Sequence, residues 1–124
     1  MREWWQTRRQ DFDLFTAQIV IKEASGGDPD AATRRLEVLE AIPLLEPGDE
    51  VSDLAEALIE QIPFPPRAAA DALHIAIAVV SGMDYLLTWN CTHIANAALR
   101  SPIEEICRSR GYNVPIICTP EELL

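Results

Sequence analysis

Residues 67–81 constrain the fold of this chain more than any other stretch. Apart from Arg67, Asp71, His74 and Ser81, every side chain in the run is apolar. A helix that is apolar nearly all round has no face to give to water and is buried. Gly82 ends it. The run predicts a helix at the centre of the protein, with the remaining elements covering it.

Those remaining elements alternate in type. Helices are predicted over 1–14, 30–41, 49–61 and 96–110, the last with Pro102 as a point of interruption. In 49–61, Val51, Leu54, Ala55, Leu58 and Ile59 share one face. Short strands are predicted over 16–21 (TAQIVI), 42–45, 85–88 and 114–118. Ser25-Gly26-Gly27-Asp28-Pro29 and Pro47-Gly48 punctuate the first half, with Asp28 and Pro29 placed as cap and first residue of a helix. Helices alternating with short apolar strands imply an α/β fold with a mostly parallel sheet covered on both faces. Ligands of such sheets bind beyond the carboxyl ends of the strands.

Composition agrees with one globular domain. The chain has 124 residues, 48% of them hydrophobic and 24% charged. No apolar run approaches the ~18 residues of a membrane span, and residues 1–13 mix aromatics with Arg, Glu, Asp and Gln, unlike a signal peptide. A cytoplasmic protein with no membrane partner is the expectation. Cys91, Cys107 and Cys118 contain no CxxC pair, which favours reduced, mostly buried thiols.

The formal net charge is −10. Residues 1–60 carry 14 acidic and six basic side chains, and residues 61–124 carry six and four. Such a field repels a polyanion at long range and argues against a broad phosphate-tracking groove. It leaves room for a phosphodiester brought to a cation held by carboxylates, and it suits a basic protein partner.

Few residues are placed to do chemistry. Glu23 directly follows the predicted strand 16–21, where a ligand site belongs. It reads either as part of such a site or as a solvated carboxylate in the first turn of a helix. Asp71 lies in Ala70-Asp71-Ala72-Leu73-His74, a carboxylate inside a buried helix. It reads as a group needing a partner or a cation, or as an early-helix aspartate favoured by the dipole. His74, three residues on, is either a core histidine bonded to backbone or a group that holds Asp71 in place. Asn90 follows strand 85–88 in Thr88-Trp89-Asn90-Cys91-Thr92-His93, as a helix cap or as a polar group in the pocket. No zinc-protease spacing, glycine-rich phosphate loop or nucleophile elbow is present in the sequence.

Three words of this sequence are distinctive: Asp71-Ala72-Leu73-His74-Ile75-Ala76, Gly82-Met83-Asp84-Tyr85-Leu86-Leu87-Thr88-Trp89-Asn90, and His93-Ile94-Ala95-Asn96-Ala97. Together they closely resemble the C-terminal half of PIN-domain proteins, and most of all the VapC-like toxins of type II toxin–antitoxin pairs. The resemblance is strongest over 68–98 and weaker over the flanking sequence. It implies a three-layer α/β/α PIN-like domain with a mostly parallel central sheet, spanning 1–124. It implies a Mg²⁺- or Mn²⁺-dependent endoribonuclease acting on RNA, with an antitoxin protein as partner. Glu23 and Asp71 match the family's second and third acidic positions and would be metal ligands. Asn90 falls at the variable fourth position, where it would complete the catalytic set.

The family's first acidic residue ends an N-terminal strand. This chain opens instead on the helix expected to follow that strand, and Asp11 and Asp13 come too late to replace it. The expectation is an N-terminally incomplete domain, whose two carboxylates make a thin site for a hard cation. A catalytically inactive PIN-like binding or regulatory domain is the competing reading, and an unrelated α/β structural protein a third. Trp4, Trp5 and helix 49–61 suit either a homodimer face or packing within the monomer.

Overall fold

The computed structural model describes residues 6–62, 69–88, 97–119 and Glu122. The chain is mixed α/β with short parallel strand pairs. It forms two compact units, one of Arg9–Glu46 and one of residues 1–8 with Pro47–Leu124.

The Arg9–Glu46 unit begins with a 3-10 turn at Arg9–Asp11, closed where the amide of Phe12 donates to the Arg9 carbonyl at 3.3 Å. The helix predicted over 1–14 does not continue past it, and residues 13–15 are irregular. Arg9, Gln10 and Asp11 are exposed, so a helix here would have no face to bury. Strand β1 is only Thr16–Ala17 and pairs in parallel with β2, Leu44–Leu45, in the register Thr16↔Leu44 and Ala17↔Leu45. The amide of Thr16 extends the ladder to the carbonyl of Pro43 at 2.9 Å.

Between the two strands run helices α1, Gln18–Ala24, and α2, Pro29–Glu40. Helix α1 corrects the expected strand over 16–21. The β-branched residues Ile19, Val20 and Ile21 suggest a strand, but Ala17, Val20, Ile21 and Ala24 recur at helical spacing while Gln18, Lys22 and Glu23 are exposed. The helical period wins because strand propensity is weak and depends on context. Helix α2 starts as its sequence requires. Asp28 caps it, with Oδ2 accepting from the Ala31 amide at 3.0 Å, and Pro29 follows.

Among its described residues, the second unit carries three long helices and one strand pair. Helix α3, Asp49–Gln61, buries Val51, Leu54, Ala55, Ala57 and Leu58, and Ile62 continues that face beyond its end. Helix α4, Ala69–Val80, packs along α3 and buries Ala72, Ile75, Ala76, Ile77, Ala78 and Val79. Helix α5, Ala97–Ser109, also touches α3 and buries Ile103, Ile106 and Cys107. Pro102 lies inside α5, which continues through it rather than breaking. Strand β3, Tyr85–Leu87, pairs in parallel with β4, Ile116–Cys118, from Tyr85↔Ile116 to Leu87↔Cys118.

Two glycines end helices by the same device. Gly82 has φ 72° and Gly111 has φ 87°, a region that glycine occupies without strain. After α4, the Met83 amide reaches the Ala78 carbonyl and the Gly82 amide reaches Val79. After α5, Tyr112 reaches Cys107 and Gly111 reaches Arg108. Each is a Schellman closure that satisfies the last helical carbonyls. Beyond α5, the Tyr112 hydroxyl donates to Glu50 Oε2 at 3.4 Å, and Arg100 Nη2 donates to the Ile117 carbonyl at 2.9 Å, tying α5 to β4.

Among the described residues no helix is long and apolar enough to cross a membrane. Cys107 and Cys118 are free and buried, and Cys91 lies outside the described residues. Trp4 and Trp5, offered as a dimer face, also lie outside them.

Three expected outcomes follow from this packing. Leu58→Ala, at a site with no exposed surface, should cost roughly 2–5 kcal/mol and lower the urea midpoint accordingly. Asp28→Ala should cost about 1 kcal/mol by the same measurement, because the Ala31 amide loses its acceptor. Burial pushes the Cys107 thiol from its ordinary 9.0 up to about 11. The unfolded chain therefore releases this proton first as pH rises. The stability linked to it is fully present below about 9 and is lost on the way to about 11. Urea unfolding across that window should show a smaller pH slope in Cys107→Ala than in the wild type.

Candidate functional site

Asp71 lies in the first turn of α4, half-buried. Helix dipoles favour a carboxylate at this end. The residues that follow it are among the most enclosed in the protein, Ala72, Ile75 and Ala76 having no exposed surface. His74 is one turn on and also half-buried, so the two polar residues share the less enclosed side of an otherwise apolar helix. Both are engaged in interactions within the protein.

Glu23 is placed differently from its sequence expectation. It does not follow a strand end directly but lies in the last turn of α1, exposed, six positions after Ala17 closes β1. The alternative of a first-turn carboxylate favoured by the dipole falls as well, because the carboxyl-terminal end of a helix disfavours negative charge. Glu23 belongs to the Arg9–Glu46 unit and Asp71 to the other.

The segment carrying Glu23 is held by a residue that sequence inspection passed over. Arg35, on α2, donates from Nε to the Ala24 carbonyl at 3.1 Å and from Nη2 to the Gly26 carbonyl at 2.7 Å. The Ser25 amide returns to Ile21, the Gly26 amide to the Glu23 carbonyl, and the Ser25 hydroxyl to Lys22. A cation beside the last carbonyls of a helix satisfies acceptors that the helix itself cannot. The available signal was the Ser25-Gly26-Gly27 turn, whose carbonyls need donors, followed about two helical turns after the cap by a pair of arginines.

At the end of β3, Thr88 is half-buried and its amide donates to the Cys118 carbonyl at 3.0 Å, extending the parallel ladder by one rung. Asn90, His93 and Asn96 lie outside the described residues.

Glu23 and Asp71 have the right donor chemistry for a hard divalent cation, carboxylate oxygen. They are few, however, and among the described residues no group of three or more His, Cys, Asp or Glu is gathered to hold a metal ion. No family model, no curated protein and no solved structure matches this chain.

Arg35→Met should remove both hydrogen bonds to the end of α1. Amide hydrogen exchange at Ser25 and Gly26 should accelerate, and stability should fall by about 1 kcal/mol, the scale of such bonds at an exposed position. Unchanged exchange at these two amides would show that the helix end holds itself.

Proposed function

We propose that this chain is a PIN-like domain of the VapC type, a metal-dependent endoribonuclease that hydrolyses RNA phosphodiester bonds as the toxin of a toxin–antitoxin pair. The observation that carries the reading is Asp71. A carboxylate stands in the first turn of a helix that goes on to enclose Ala72, Ile75 and Ala76 completely, within the sequence word that most resembles the family. The fold that accompanies this reading is a three-layer α/β/α domain around a mostly parallel sheet. Both described strand pairs are parallel, which supports it.

In this reading Glu23 and Asp71 are the metal ligands and Asn90 completes the catalytic set. Mg²⁺ or Mn²⁺ would be the cofactor, held by those carboxylates and supplying charge against the phosphodiester. An antitoxin of basic character is the partner that the net charge of −10 favours. A homodimer and a cytoplasmic location belong to the same proposal.

A second reading, a PIN-like binding or regulatory domain without catalytic activity, is favoured by two observations. Glu23 is exposed at the end of α1 that disfavours negative charge, and the residue at the fourth position, Asn90, carries no charge.

The two readings separate in one set of measurements on the purified chain. The nuclease reading expects single-stranded RNA to be cleaved with Mn²⁺ or Mg²⁺ and spared with a chelator. Asp71→Asn should slow cleavage by roughly 100-fold or more, the scale of losing one pre-placed electrostatic group. Equal rates for wild type and Asp71→Asn would remove Asp71 from the site. Calorimetric Mn²⁺ titration tests the inactive reading, which stoichiometric binding abolished by Glu23→Gln would count against.

A further inference from the structure

We draw no further inference here: the strongest candidate, the open hollow of about 190 Å³ between α5 and β4 lined by Ile103, Val114, Pro115, Ile116 and Ile117 with Arg100 at its side, carries nothing because the Arg100 Nε that lacks a hydrogen-bond partner is itself sealed from solvent and nothing in the structure shows what covers the exposed Ile116 beside it.

Discussion

The packing of α4 on α3 is the contact on which the larger unit depends. Leu58 and Ile75 contribute side chains with no exposed surface, and Leu54 and Val51 have almost none. Fully burying a residue of this size is worth roughly 1.5–3 kcal/mol. Helix α4 brings mostly alanine, isoleucine and valine to the contact. Helix α5 adds Ile103, Ile106 and Cys107 to the same core. Because α4 is apolar on nearly every side, its few polar residues have a narrow choice of position. Asp71 and His74 take the side where enclosure is incomplete.

Charge is arranged against this core at some cost. Asp49, Asp53, Glu56 and Glu60 occupy successive turns on the exposed side of α3, at spacings of three and four residues. Like charges at such spacing destabilise a helix by a few tenths of a kcal/mol per pair. Asp49 and Glu50 recover part of that at the helix start, where the dipole favours them. The buried face outweighs the remainder, since one enclosed leucine exceeds several such repulsions. The acidic surface is therefore something the packing tolerates, and it does not direct the fold.

Where one period dominated, the sequence was legible. The bounds of helix 49–61 are legible to the residue, because Gly48 and Pro63 bracket it, although Ile59, expected on the buried face, is exposed and Ala57 is buried instead. Pro29 and Asp28 announced α2 in the same way. Residues 16–24 were not legible, because β-branched side chains and a helical repeat coincide within 17–24. Two residues formed the strand and the rest the helix. Pro102 misled in the opposite direction. A proline deletes one helical hydrogen bond, but Ile103, Ile106 and Cys107 just beyond it are buried, and their burial keeps α5 continuous. Arg35 was invisible because its partners are carbonyls, which every residue possesses.

The same misreading changes what the candidate site can be. With 16–21 as a strand, Glu23 would stand directly beyond a strand end, and the resemblance sets it beside Asp71 as a second metal ligand. In the folded protein they are electrostatic opposites. Asp71 sits at the amino-terminal end of α4, where the backbone already stabilises its charge. Glu23 sits at the carboxyl-terminal end of α1, where the backbone opposes it and the Arg35 guanidinium occupies the neighbouring carbonyls.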